Sequence, residues 1–288
     1  MPSPCTVCVS EDTKDLRTCR GYQIRECRRC SHVFVANAIE SGALEDAYDE
    51  SFYVNAAPDA TAKGYDDYLA TIDRRLAGFR QWYREIERVV GAPGRSLDFG
   101  CAVGVMVRAA KDCDWQAVGY ERSHWAAAYG RERFGIEIET GDGSADPFAA
   151  GSFDLITMWD VVEHLEKPRE VMDLVHRWLR PGGWVAINTL NSSGLGARIA
   201  GPQWRHFCPP VHLQYFTRKS LMRLLQSHEF AVRRKHGSGV FLSAGKKSLL
   251  QLGTAAAFIE RSVLHWRLRP IADALNLLDE FEVLAQKP

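Results

Sequence analysis

An α/β fold, with a mostly parallel sheet covered by helices on both faces, is what the sequence predicts for most of this 288-residue chain. Three observations point to it. From residue 95 onward, short apolar runs alternate with helix-period segments, the pattern of repeated strand–helix–strand units. The turn "LDFGCAVG" at 97–104 ends the first of these runs and opens a helix. Finally, 46% hydrophobic and 25% charged residues are ordinary for a globular chain and exclude disordered and fibrous classes.

The elements follow in order. Residues 1–40 carry Cys5-x-x-Cys8 and Cys27-x-x-Cys30, two equal knuckles separated by a polar, strand-prone stretch. Two thiolates three residues apart on a tight turn can face one metal, and two such turns supply the four sulfurs of a closed tetrahedral site. A full ligand set leaves no position for water, so the expected role is structural zinc, stabilising a ribbon too small for its own core. Iron on the same sulfurs, or four unrelated thiols, are the alternatives. Cys19, Cys101, Cys113 and Cys208 show no such spacing.

Residues 41–94 form a helical linker or cap, in which 65–90 are apolar at mixed three and four spacing, the signature of an amphipathic helix. Gly91, Pro93 and Gly94 end it. The third unit, 95–288, then reads as "RSLDFG", helix 103–113, "QAVGYE", helix 123–134, "IEIET", "FDLITMWD", helix 168–180 and "WVAINTL". Thr217 caps a helix over 217–228, "FAVRRKH" follows as a strand, and "EFEVLAQKP" closes the sheet. Between them, about 241–275 reads as a helical insertion whose core, 243–275, is amphipathic.

Charge restricts the partners. Lys plus Arg equals Asp plus Glu at 36 each, so nothing pulls the whole molecule toward nucleic acid or an acidic membrane. The N-terminus lacks an apolar signal segment, and no run approaches the roughly 20 apolar residues of a membrane span. A cytoplasmic protein is expected, with peripheral membrane contact through the insertion less expected than a dimer face or lid.

What could the turn at 97–104 hold? A P-loop needs a Lys after its glycines, and a dinucleotide fingerprint needs G-x-G-x-x-G; neither is present. The residues do match D-x-G-C-x-x-G, and further motifs follow in order: Glu121 ending the second strand, "GD" at 141–142, "FDLITMWDVVEHLEKP", "LRPGGWVAI" and "HLQYFTRKSL". Together with the four-cysteine start, the chain resembles the class I S-adenosylmethionine-dependent methyltransferases of the broad small-molecule type that carry a zinc ribbon.

That resemblance implies a Rossmann-like sheet of seven strands and a site at the strands' carboxyl ends. It implies that Asp98, Gly100, Cys101 and Gly104 hold the amino acid end of adenosylmethionine, with Ala102 where the family usually has Gly. Glu121 is placed like the acid that accepts both ribose hydroxyls, Asp142 like the residue that bonds the adenine amino group, and Asp160 closes the cofactor side. The sulfonium is an activated donor, so the protein must align the acceptor and, for a hydroxyl, remove a proton. Histidine suits that task near neutral pH. His164 is the first candidate base and His212, in "PPVHLQYF", the second.

A sharper resemblance is to the E-x-x-E-H and later His that bind a divalent metal in small-RNA 2′-O-methyltransferases, and to a related arrangement in ubiquinone-pathway O-methyltransferases. It would place Mg²⁺, Mn²⁺ or Zn²⁺ on Asp160, Glu163, His164 and His212, with Asp at the first position where the pattern has Glu. Trp204–Phe207 read as a stiff aromatic lid over a sugar or aromatic acceptor. The expected reaction is O-methylation of a sugar-containing or secondary-metabolite hydroxyl, the partner being a small molecule or glycan. The rivals are an RNA methyltransferase using the ribbon for phosphate contacts, and a non-catalytic module that binds adenosylmethionine or a partner protein.

Overall fold

The computed structural model describes residues 3–37, 50–54, 68–236 and 278–288. The ribbon comes first. Strands β1 (Thr13–Cys19) and β2 (Tyr22–Cys27) pair antiparallel, joined by Arg20 and Gly21, whose φ values of 52° and 81° form the two-residue turn that matches strand twist. Strand β3 (Val33–Val35) pairs with β2. A short helix α1 (Glu50–Tyr53) and the long helix α2 (Ile72–Val90) lead to the main sheet. Helix α2 starts later than its apolar pattern suggested, after a single 3₁₀ turn at Leu69–Thr71, and ends at Gly91 with φ 97°.

The strand–helix alternation follows as β4 (Arg95–Phe99), α3 (Val105–Lys111), β5 (Gln116–Glu121), α4 (His124–Phe134), β6 (Ile138–Thr140), β7 (Phe153–Trp159), α5 (Pro168–Trp178) and β8 (Leu179–Leu190). Then come α6 (Leu195–Ala200), β9 (Gln214–Tyr215), α7 (Arg218–Ser227), β10 (Ala231–His236) and β11 (Glu280–Gln286). The main sheet has seven strands in the order β10-β11-β8-β7-β4-β5-β6. Its β4 to β8 pairings are parallel, and β11 is inserted antiparallel between β8 and β10.

Period-two alternation decides what each face touches. Ile156, Met158, Val185 and Ile187 pack with Val171, Met172 and Val175 of α5 and with Leu221, Leu224 and Leu225 of α7. Leu155, Trp184 and Ala186 face the other way, onto Phe79, Trp82 and Tyr83 of α2 and the small face of α3. Local chemistry sets the helix ends. Ser123 accepts from Ala126 N–H to start α4, Gly135 closes it in the left-handed region, and Thr217 forms a reciprocal capping pair with Ser220 at α7.

One feature of the topology was not legible in the sequence. The ribbon is no detached appendage, because β3 pairs antiparallel with β9, giving a four-stranded sheet β1-β2-β3-β9 whose last strand comes from the methyltransferase-like unit. Among the described residues no helix is long and apolar enough to cross a membrane. The amphipathic segment expected at 243–275 lies outside the described residues.

Candidate active site

At the carboxyl ends of β4, β5 and β7, where an open parallel sheet leaves a crevice, lies a cavity of about 330 Å³. Asp98, Gly100, Cys101, Glu121, Asp142, Asp160 and His164 all line it, whereas Gly104 and His212 do not. Its size falls within the roughly 300–1,000 Å³ of small-ligand sites.

The turn after β4 is built for close backbone approach. Gly100, Ala102 and Gly104 have φ of 74°, 51° and 76°, all in the left-handed region where a Cβ is disfavoured. A Cβ at Gly100 would collide with Val161, and one at Gly104 with Ile136. Gly104 thus shapes the turn from outside the cavity, with α3 packed closely behind it. Ala102 tolerates its strained backbone because its N–H donates 2.7 Å to Glu121 Oε2. The other Glu121 oxygen accepts from Ser123 N–H at 2.8 Å, so each retains acceptor capacity for one more donor.

Burial dominates the electrostatics. Asp98 is 5% exposed and pushed up to about 7 by desolvation, with the Glu121 charge adding to the rise and Thr157 Oγ1, donating at 2.7 Å, opposing it. Glu121 is likewise raised by burial, against the pull of its backbone donors. Two buried carboxylates lining one cavity favour a positively charged ligand there, with Arg122 offsetting part of the Glu121 charge. At the far end Asp142 is held below its usual range by Ser144, whose hydroxyl and N–H both donate to Oδ1. Tyr120 Oη accepts from Gly143 N–H at 3.1 Å and stacks on Phe99, giving that end an aromatic floor. Cys101 is a buried thiol whose pKa burial raises well above normal, so it packs and stays protonated.

The opposite wall comes from residues that the sequence reading passed over. Phe52 and Tyr53 of α1, Tyr68, and Arg75 and Phe79 of α2 line the cavity with Trp159. The guanidinium of Arg75 lies 4.4 Å from the Tyr68 ring centre. For Tyr68 and Phe79 the signal was present, as the apolar face of the amphipathic segment 65–90, but a face destined for a core and one destined for a ligand look alike in sequence.

Beyond β7 the chain bends sharply. Asp160 has φ 55°, and its buried Oδ1 has no hydrogen-bond partner among the described residues; burial raises its pKa to about 6 against the opposing charge of Arg75. A 3₁₀ turn, Val162–His164, follows. His164 Nδ1 donates 2.7 Å to Val211 C=O, the Asp160 backbone also hydrogen-bonds the ring, and burial holds the ring neutral with its pKa lowered to about 4. His212 Nδ1 donates 3.0 Å to His206 C=O in the same manner, and the two imidazole centres are 4.8 Å apart. Glu163 is 1% exposed, accepts from Thr189 Oγ1 at 2.8 Å, and is raised well above normal by burial and by Asp160.

Ligand atoms of Glu163, His164 and His212 lie within 4.8 Å of one another. Asp160, expected in the same set, stands outside that group; its left-handed backbone leaves the strand path and its carboxylate borders the cavity instead. The expected aromatic lid is also placed elsewhere. None of Trp204, Arg205, His206 and Phe207 lines the cavity, and Trp204 and Phe207 pack with Ile24, Val35 and Tyr215 between ribbon and core. Arg17 of β1 donates to Pro202 C=O and lies 5.0 Å from the Phe207 ring centre.

In the ribbon, Cys5, Cys8, Cys27 and Cys30 place their sulfurs within 4.8 Å of one another, with Cys5–Cys30 at 3.6 Å and Cys8–Cys27 at 3.5 Å. The Val7 N–H donates to Cys5 Sγ. Cys5 is lowered to about 5, chiefly by its hydrogen bond with Cys30, while Cys30 is raised by that bond and by burial. The donor set and spacing fit a tetrahedral sulfur site.

Comparison with known proteins adds the family. The family described as Methyltransferase domain matches residues 72–235. A ubiquinone biosynthesis O-methyltransferase of Thiobacillus denitrificans is 32% identical over 110 residues, which cover 36% of this chain and 47% of the relative. The chain thus spans about half the length of the curated relatives it matches. Among solved structures, an S-adenosylmethionine-dependent methyltransferase from Mesorhizobium loti superposes with a TM-score of 0.52 at 19% identity, covering 74% of this chain and all of that one. A SAM-dependent methyltransferase from Archaeoglobus fulgidus gives 0.53 at 17% identity, covering 76% and 99%. At such identities the shared property is the fold.

Proposed function

We propose, from the premise that this chain belongs to the methyltransferase-domain family, that it transfers the methyl group of S-adenosylmethionine to a hydroxyl oxygen of a sugar-containing or secondary-metabolite acceptor. The observation that carries this reading is the pair of buried carboxylates, Asp98 and Glu121, facing a cavity entered by a glycine turn with no room for side chains. When bound, adenosylmethionine supplies an activated methyl on a sulfonium. Asp98 offers its charge to the ammonium, Glu121 one lone pair on each oxygen to the ribose diol, and Asp142 an acceptor near the base. The aromatic wall of Phe52, Tyr53, Phe79 and Trp159 excludes water and gives a ring-bearing acceptor a stacking surface.

His164 is the proposed base. Its neutral ring, oriented through Nδ1 in the cavity wall, is placed to take the hydroxyl proton as the methyl passes from sulfur to oxygen. His164→Ala should lower turnover by about 10²- to 10⁴-fold and leave adenosylmethionine affinity within about twofold, the change expected when no bond to the ligand is lost. The direct test is incubation with labelled adenosylmethionine and fractionated metabolites and glycans, with mass spectrometry of the product. Label on carbon or nitrogen, or no label transfer to any fraction, would overturn O-methylation.

A second reading rests on the Glu163, His164 and His212 cluster. Both imidazoles donate Nδ1–H to a carbonyl, the support that orients a metal-binding Nε2. Were Mg²⁺ or Mn²⁺ held there, chelation would abolish turnover, the added ion would restore it, and alanine at His212 would be as damaging as at His164.

The RNA reading has less support. Lys14 pairs with Glu26 at 2.8 Å, Arg25 with Asp15 at 3.1 Å and Arg28 with Asp12 at 3.6 Å, so these ribbon cations are balanced by ribbon acids. Retention of RNA that falls steeply with salt would revive it.

A further inference from the structure

The structure points to Gln214 as a positioning residue through which the four-cysteine ribbon holds His164 in the cavity wall. The inference takes from the proposed function only the role of His164.

The segment after the expected lid clasps the His164 turn at three successive residues. Leu213 N–H donates 2.8 Å to Glu163 C=O, Val211 C=O accepts from His164 Nδ1 at 2.7 Å, and Gln214 Nε2 donates 2.8 Å to Leu165 C=O. Two of these bonds are made by the backbone of the clasp; the third depends on one side chain. That side chain is 1% exposed, so its amide must find all its partners inside the protein.

It finds the others in the ribbon. Gln214 Oε1 accepts from Thr6 Oγ1 at 2.8 Å, inside the first knuckle, and from His32 Nε2 at 2.9 Å, two residues after the second. His32 is fully buried, its ring 4.6 Å from that of Phe216 and 6.0 Å from that of Phe34, and its Nδ1 is 3.3 Å from Ser220 Oγ. The backbone repeats the linkage, for Phe34 pairs with Gln214 and Val33 with Tyr215, while Val35 N–H donates to Leu213 C=O. One amide therefore joins both cysteine knuckles to the peptide beside His164. Its partners are polar on both sides, so a purely apolar packing role would have been served better by Leu or Met.

The consequence is a division of labour. The main sheet fixes the cofactor end, and the ribbon fixes the base. Loosening the knuckles should therefore disturb His164 before it disturbs Asp98 or Glu121.

The test reads His164 directly, in full-length protein with its metal in place and histidine labelled with ¹⁵N. The His164 ring signal is assigned by its loss in His164→Gln. In the wild type it should report a single tautomer protonated at Nδ1, as the bond to Val211 requires. Gln214→Met keeps length and volume but removes all three side-chain bonds; it should shift the tautomer ratio by roughly tenfold, the size of one net hydrogen bond, while calorimetric affinity for adenosylmethionine stays put. Thr6→Val, which cuts only the first-knuckle bond, should shift it the same way by less, and it decides the matter should Gln214→Met fail to fold. An unchanged His164 spectrum in folded Gln214→Met, or in Thr6→Val where that variant decides, would overturn the inference, leaving Gln214 as fold support only. Because this readout needs neither cofactor nor turnover, absence of adenosylmethionine binding would refute the proposed function without touching it.

Discussion

Asp98 is where a single residue sets the pH response. Its ordinary pKa of 3.8 rises to about 7 in the folded, ligand-free protein, so the folded state holds the proton more tightly than the unfolded one. Ligand-free stability should therefore be greatest at low pH with respect to this group and fall as pH rises from about 4 to about 7. A cationic ligand reverses the demand, since it needs the ionised form. Adenosylmethionine affinity should rise by up to about tenfold per pH unit below 7 and level off above it, with proton release seen by calorimetry in buffers of different ionisation heat. Asp98→Asn should flatten that profile; an equally steep profile in the variant would assign the proton elsewhere. Ala102 offers a second residue-scale test. A left-handed Ala costs about 1–2 kcal/mol and glycine's extra chain entropy about 0.5–1 kcal/mol, so Ala102→Gly should match or slightly exceed the wild type in melting temperature and affinity. Ala102→Val should lose affinity, and a clear loss in the glycine variant would mean the methyl itself contacts the ligand.

At the scale of elements, the ribbon carries the sharpest expectation. Its strands bury only a few apolar groups of their own, among them Ile24 and Phe34, so the four sulfurs must supply much of its stability. Purified protein should contain about one metal ion on the four sulfurs, and Co²⁺ in its place should give tetrahedral sulfur-to-metal absorption. Cys27→Ser should lower the first melting transition; freshly prepared protein with no metal and an unaltered transition in Cys27→Ser would contradict the site. The strand and helix order was legible because short apolar runs alternate with helix-period segments and the turn carrying Gly100 and Gly104 marks the first β-to-α switch. The β3–β9 pairing was not, since two- and three-residue strands carry no period to read. Trp204–Phe207 misled for a related reason. Proline-flanked aromatics describe a stiff segment, but only tertiary contacts decide whether it covers a ligand or a neighbouring module.

Over the whole molecule, one sheet organises two sources of function. Its carboxyl edge gathers Asp98, Glu121, Asp142 and Asp160 from strand ends and loops that are distant in sequence, and the segment leading into β9 of the smaller sheet places His212 beside His164 and supplies the clasp. Asp98, Gly100, Glu121 and Asp142 were readable because their motifs are local, each a strand end followed by a turn. The wall made by Phe52, Tyr68, Arg75 and Phe79 was not, because these residues line the cavity only when α1, α2 and the turn before α2 fold over the sheet. The proposed function requires Glu121 and Asp98 to hold a cationic nucleoside ligand, and isothermal calorimetry of adenosylmethionine with wild type and Glu121→Ala tests this most directly. The wild type should bind one equivalent, and loss of two charge-assisted ribose bonds, each about 1.5–3 kcal/mol, should weaken binding by about a hundredfold or more. No binding by the wild type, or equal affinity in Glu121→Ala, would contradict the account.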